Sequence, residues 1–244
     1  MFRKTSLKYI DSSIIPDSAP LTSLNGIFAE CKSLTDIGEG YKNWNVSNVK
    51  TFSETFMETQ VTELDLSKWN FNNATIYEGM FRSCSALKDI DGLEKLFPST
   101  ILKTGATISN IFNGCTALTQ STLEKTSKWN IFDGENECVI TDLSGVYAGC
   151  KNLTAMTAMD ANYFPIYLTF LWPEKKFNKV SLINSLFAGC PIASITLPEM
   201  NKISSATSCF SGCSNLIFLD LSKVNFAACD TDKLKEWLKG CSAL

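Results

Sequence analysis

The chain contains no histidine among its 244 residues. That single absence removes Ser-His-Asp and Cys-His nucleophile systems and every histidine-ligated metal site. No apolar run approaches the ~18 residues that a membrane-spanning helix needs. No phosphate loop or dinucleotide fingerprint occurs, since Gly38-Glu-Gly40 is a lone turn that does not open a G-x-G-x-x-G. Charge of one sign is also scarce: 22 Lys and Arg stand against 25 Asp and Glu, a net −3. With no local run of Lys or Arg, the sequence offers no field for a nucleic acid. The first ten residues are basic but lead into Asp11, Ser12 and Ser13 rather than an apolar core, so they do not read as a signal peptide.

What remains is ordinary for a folded chain: 45% apolar and 19% charged residues, with no linker-like stretch. A disordered reading is excluded. The length suits one continuous domain.

One unit recurs along it. In Phe210-Ser-Gly-Cys213-Ser-Asn-Leu216 an aromatic is followed by cysteine and leucine at steps of three, and Leu219 and Leu221 then alternate with polar residues. The same register starts at Phe28, Phe81, Phe112, Tyr147 and Leu238, with Cys31, Cys84, Cys115, Cys150 and Cys241 in the cysteine column. Phe56 and Phe187 start two variants, the first with Thr59 for cysteine and the second with Cys190 followed by Ile192. A second signature follows the alternating part: Trp44-Asn-Val46, Trp69-Asn-Phe71, Trp129-Asn-Ile131 and Val224-Asn-Phe226.

Repeat units of this length bury their apolar faces only by stacking on one another. Alternation in Leu64-Asp-Leu66, Ile195-Thr-Leu197 and Leu219-Asp-Leu221 predicts short half-buried strands. Apolar positions spaced by three or four before each start predict a short helix or 3₁₀ turn on the opposite side. The expected fold is α/β: a leucine-rich-repeat solenoid of about seven coils, parallel strands on one face and helices or turns on the other.

Phe-x-x-Cys-x-x-Leu-x-x-Leu-Asp-Leu-Ser-x-Trp-Asn resembles the bacterial surface-protein repeat of about 26 residues, a relative of BspA-type leucine-rich repeats. Leu64 to Asn70 and Leu219 to Asn225 match it best, and the resemblance runs from about Leu21 to Leu244. It implies a right-handed solenoid used on surfaces for adhesion and recognition, and it implies no catalytic residues. Three long insertions and the lack of an export signal depart from the pattern.

Ten cysteines follow from the same geometry. Column neighbours point the same way at strand spacing or wider, whereas a disulfide needs converging Cβ atoms about 3.8 Å apart. A ladder of reduced, buried thiols is expected. Cys138, Cys209 and Cys229 lie off the column, and Cys138 has the option of exposure. A zinc site would need four converging thiolates and is not favoured, and no cofactor is expected.

Residues 1–20 are expected to cap the first coil, and 21–244 to form one solenoid with insertions at about 91–107, 119–140 and 157–180. Insertions on one edge of a repeat array commonly mark its binding face. The third holds Tyr163, Phe164, Tyr167, Phe170 and Trp172 within ten residues. These rings either fold back on the flank of the solenoid or present a partner-binding patch.

The outward strand positions are the second candidate surface, with Asp36, Glu63, Asp65, Asp89 and Asp91 in the first three coils. Later coils place Gln120 with Thr122, Ala155 with Thr157, Ser194 with Thr196 and Phe218 with Asp220 there. The acidic end would attract a basic partner or a cation, or it is a solvated face whose aspartates satisfy turn amides. At the far end, Asp230 to Gly240 predicts a helix with an Asp230 N-cap and an apolar stripe of Leu234, Trp237, Leu238 and Cys241. Leu244 comes before a further strand, so either that helix is the cap or the array is part of a longer one.

The function expected is a non-enzymatic recognition or adhesion module for a protein or glycan at a cell or particle surface. The alternative is a structural component of a larger assembly, such as a virion, tail or surface layer. Catalysis by a carboxylate pair such as Asp65 with Asp89 is the weakest reading, because nothing else builds a cleft around it.

Overall fold

A computed structural model describes residues 1–98, 105–133, 137–153 and 175–244. Its strands are three residues long. β1 (Glu63–Asp65) pairs in parallel with β2 (Asp89–Asp91), Leu64 opposite Ile90. β3 (Ser194–Thr196) pairs in parallel with β4 (Phe218–Asp220), Ile195 opposite Leu219. Parallel neighbours require the chain to return to its starting side, and here each return is the rest of one repeat unit. The central residue of each pair points inward: Leu64, Ile90 and Ile195 are buried.

A second ladder runs through the residue five before each aromatic start. Parallel bridges join Ser23 to Thr51, Thr51 to Ile76, and Ile76 to Thr107; others join Asp142 to Leu182 and Leu182 to Ser205. The segment that follows, expected to be a short helix or 3₁₀ turn, is a run of reverse turns. In the first full unit Ile27, Ala29 and Cys31 donate their amides to Leu24, Gly26 and Phe28, three residues back. The alternate amides, of Leu24, Gly26, Phe28 and Glu30, donate across to Thr51, Ser53, Thr55 and Met57 of the next unit. A helix directs all its amides along its own axis and could not make that second set of bonds. Left-handed residues two before and two after the aromatic produce the alternation, for example Glu54 (φ 54°) and Glu58 (φ 60°).

Inside the stack the aromatic column is continuous. Phe2, Phe28, Phe56, Phe81, Phe112, Tyr147, Phe187 and Phe210 stack ring on ring, with neighbouring centroids 5.5–6.0 Å apart. Beside it runs the cysteine column. Each thiol donates to the carbonyl of the aromatic one unit earlier: Cys84 to Phe56 at 2.9 Å, Cys115 to Phe81 at 2.8 Å, Cys190 to Tyr147 at 2.9 Å and Cys213 to Phe187 at 3.0 Å. The tryptophan signature does a parallel job, since the indoles of Trp44, Trp69 and Trp129 donate to Ser12, Tyr41 and Leu93 carbonyls of the preceding units. The asparagine after it closes a local turn: Asn45, Asn70 and Asn225 Oδ1 accept the amide two residues on.

The repeat begins earlier than the sequence reading places it. Phe2 stacks on Phe28 at 5.5 Å, Cys31 donates to the Phe2 carbonyl at 2.9 Å, and Tyr9 bridges Asp36. Phe2, Thr5, Leu7 and Ile10 have the spacing of Phe56, Thr59, Val61 and Leu64, the variant with threonine in the cysteine column.

Two expected elements differ. Gln120 and Thr122, read as outward strand positions, lie in helix α1 (Gln120–Thr126), which packs against β2 and the 3₁₀ turn Leu93–Lys95. The C-terminal helix is a 3₁₀ turn, Thr231–Leu234, and Asp230 caps it with no side-chain bond. The chain beyond repeats the reverse-turn pattern, because Phe210 and Gly212 amides donate to Trp237 and Lys239, and helical backbone would remove those acceptors.

Candidate functional site

The parallel register forces like charges together. Glu63 sits opposite Asp89 and Asp65 opposite Asp91 on neighbouring strands, an arrangement that is unfavourable unless compensated. Compensation comes from α1: Lys125 Nζ lies 2.9 Å from both Asp89 carboxylate oxygens, 3.1 Å from Asp91 Oδ1 and 3.0 Å from the Ile90 carbonyl. Ser121 Oγ adds a 3.3 Å bond to Asp89. Burial works against the charge on Asp89, but the Lys125 ammonium and the Ile90 amide outweigh it and hold the carboxyl below its usual range. Lys125, partly desolvated between two carboxylates, is correspondingly raised.

The other aspartates hold turns. Asp36 Oδ1 accepts the Gly38 amide at 2.8 Å and Asp65 Oδ1 accepts the Ser67 amide at 3.0 Å. Bonds from Ser67 hold the Asp65 carboxyl below its ordinary value. Asp11 and Asp220 make the same bond to Ser13 and Ser222, so this is a duty of the repeat.

Asp36, Glu63, Asp65 and Asp91 line one open groove of about 290 Å³. Asp89 stands beside it, engaged by Lys125. Sequence reasoning missed three further lining residues, Glu39, Tyr41 and Lys42. Tyr41 and Lys42 come from the 3₁₀ turn Gly40–Asn43 after the first strand position, Glu39 directly precedes that turn, and the Tyr41 hydroxyl accepts the Asp65 amide at 2.9 Å. Their signal was the aromatic-Lys-x-Trp spacing before Trp44. Lys42 Nζ is 2.6 Å from Glu39 and 3.8 Å from Asp65. Among the described residues no group of three or more Asp, Glu or Cys side chains is placed to hold a metal ion.

Tyr163, Phe164, Tyr167, Phe170 and Trp172 lie outside the described residues, as do Ala155 and Thr157. Eight of the ten thiols are buried, and those of Cys229 and Cys241 are half-buried. All ten cysteines are unpaired, and Cys138, which had the option of exposure, is fully buried. Burial pushes Cys84 up to about 11 and Cys138, Cys150 and Cys213 up to about 12, far from the thiolate range a nucleophile needs. Among the described residues no helix is long and apolar enough to cross a membrane.

A leucine-rich repeat protein of solved structure from Bacteroides ovatus ATCC 8483 is similar at 15% identity and a TM-score of 0.45, over 100% of this chain and 61% of its own. This chain therefore spans about 61% of that protein's length. No curated protein sequence matches. The family described as "Mycoplasma protein of unknown function, DUF285" matches residues 1–125, slightly more than half of the 244. The match takes in Phe2 and the starts Phe28, Phe56, Phe81 and Phe112, and the chain belongs to that family.

Proposed function

We propose that the chain is a non-enzymatic recognition module: a right-handed leucine-rich-repeat solenoid of the BspA-like kind that binds a protein or glycan at a cell or particle surface. The observation that carries this reading is the contrast between the two sides of each unit. Inward positions keep one residue type from unit to unit, as in the aromatic and cysteine columns. Outward strand positions do not: Glu63 and Asp65, then Asp89 and Asp91, give way to Phe218 and Asp220, while Ser194 and Thr196 of β3, read from the sequence as outward, are buried. A scaffold held by its interior leaves its outer faces open to specialisation, which suits binding.

Catalysis has less support. A glycosidase-like pair needs one carboxyl with a raised pKa, whereas Asp65 and Asp89 are both lowered and both engaged in structural bonds. Adhesion at a surface rests on the repeat resemblance.

The test is direct. The immobilised protein is exposed to panels of surface glycans and extracellular proteins, beside Glu63→Lys on the acidic groove and a Tyr167→Ser, Phe170→Ser, Trp172→Ser triple variant in the third insertion. Saturable binding to at least one ligand is expected. Absence of any saturable ligand, with the protein folded, would sink the recognition reading.

A further inference from the structure

The sequence holds no run of lysines, yet the fold assembles one. Lys68, Lys95 and Lys128 come from three successive units, 27 and 33 residues apart in the chain. Lys68 and Lys128 directly precede Trp69 and Trp129, and Lys95 ends the 3₁₀ turn Leu93–Lys95. All three line one open groove of about 560 Å³. That volume lies within the range of about 300–1,000 Å³ common for ligand sites.

The groove is separate from the acidic one. The lining residues of the two do not overlap, and Glu94 is the only carboxylate among the described residues that line this one. Two lysines are held in place: Lys68 Nζ donates to Asn43 Oδ1 at 2.9 Å and Lys95 Nζ to the Ser67 carbonyl at 2.5 Å. Neither bond neutralises its ammonium, because both acceptors are uncharged. Lys128 is exposed and makes no side-chain bond to any described residue. Three ammonium groups against one carboxylate leave a local positive charge on a chain whose net charge is −3.

The remaining lining residues narrow the ligand. Asn70 and Asn130 carry side-chain amides, each offering donors and an acceptor in the geometry that pairs of sugar hydroxyls use. Pro98, half-buried at the edge of the groove, supplies an apolar surface against which a pyranose C–H face can lie. The aromatic rings of Trp69, Phe71 and Phe97 are buried in the stack, so the groove presents no open ring on which a nucleobase could stack. Lysines for negative charge, amides for hydroxyls and an apolar surface together match an acidic sugar.

We propose that the Lys68–Lys95–Lys128 groove is a binding site for anionic glycans, sugars carrying carboxylate or sulfate. This deepens the recognition reading and rests on it. Its electrostatic part makes binding weaken as ionic strength rises.

The experiment is calorimetric titration of the whole chain with three probes: a heparin-derived sulfated tetrasaccharide, sialyllactose as the carboxylated probe, and lactose as the neutral one. The first two report whether sulfate or carboxylate is preferred, and lactose should bind at least ten-fold more weakly than the better of them. A Lys68→Gln, Lys95→Gln, Lys128→Gln variant should lose at least ten-fold in affinity while Lys223→Gln, at an exposed lysine outside both grooves, changes nothing. If the triple variant does not fold, Lys128→Gln alone, which breaks no bond, should lose about three-fold.

Affinity for an acidic sugar that ignores these lysines overturns the proposed site and leaves recognition standing, as does saturable binding of only neutral glycans or proteins. Tighter binding of a single-stranded oligonucleotide than of either acidic sugar overturns the glycan assignment. No binding to any probe overturns this site, and only the broader panel of ligands bears on the recognition reading itself.

Discussion

At the scale of the residue, the thiol column makes this protein sensitive to alkali. Burial holds Cys84 at about 11 and Cys138, Cys150 and Cys213 at about 12 in the folded chain, whereas a cysteine in the unfolded chain ionises near about 8.5. Above that value the unfolded state releases protons that the folded state retains, so stability falls as pH rises. The contribution is intact below pH ~8.5 and is lost progressively up to the folded values, each thiol adding a slope of about 1.4 kcal/mol per pH unit. Thermal melts under reducing conditions should therefore drop steeply between pH ~9 and ~11. A melting temperature flat across that range would mean that the thiols reach water. The cysteine spacing made the column legible in the sequence. Its hydrogen bond to the carbonyl one unit back was not, because spacing within one unit says nothing about the offset between units.

At the scale of the element, α1 shows where a repeat consensus stops being a guide. The unit that starts at Phe112 continues past Leu118 into a helix rather than a strand. Lys125 on that helix is what makes the acidic pairing of β1 and β2 tolerable. Replacing Lys125 with Met should cost about 1 kcal/mol near pH ~7, a figure kept low by the partial exposure of Asp89. The pH dependence carries the sharper signature. The Asp89 carboxyl is depressed in the folded state, so its stabilisation is present above the unfolded carboxylate value of about 3.9 and is lost as pH falls through the lower folded value. Urea titrations at pH ~7 and ~3 should show the parent losing more stability on acidification than Lys125→Met; equal losses would assign Lys125 no role at Asp89. The acidic side chains and their strand register could be read from alternation alone. Their neutralising partner could not, since Lys125 lies 34 residues or more from Asp89 and Asp91 in sequence and belongs to an element that breaks the pattern. The lysine groove was hidden for the same reason: residues 68, 95 and 128 become neighbours only after stacking. The reverse turns were hidden by their residues, because left-handed positions are filled by Glu30, Ser83 and Asn110 as readily as by Gly149.

At the scale of the whole molecule, each unit touches mainly its two neighbours, so cohesion depends on an unbroken sequence of interfaces. Those interfaces are not equal. Toward the N-terminus the aromatic column is flanked by a second cluster in which Phe52 stacks on Trp69 at 5.5 Å and on Tyr77 at 5.9 Å, and Phe71 packs on Phe52 at 5.1 Å. Past Trp129 the positions equivalent to Phe52 and Tyr77 are the aliphatic Leu143, Ile183 and Ala206. Phe112 sits where the two regions meet, stacked between Phe81 at 5.7 Å and Tyr147 at 6.0 Å. Its replacement by alanine removes a fully buried ring at a cost of about 3–5 kcal/mol. The cost should uncouple the array rather than lower it evenly. In the parent the amides of Phe28, Phe56, Phe187 and Gly189 are all bonded between units and should exchange slowly together. In Phe112→Ala the amides of Phe187 and Gly189 should exchange far faster while those of Phe28 and Phe56 stay protected, because the N-terminal units retain the second aromatic cluster. Equal acceleration on both sides would instead make the stack a single cooperative unit, with the aromatic cluster adding no local stability of its own.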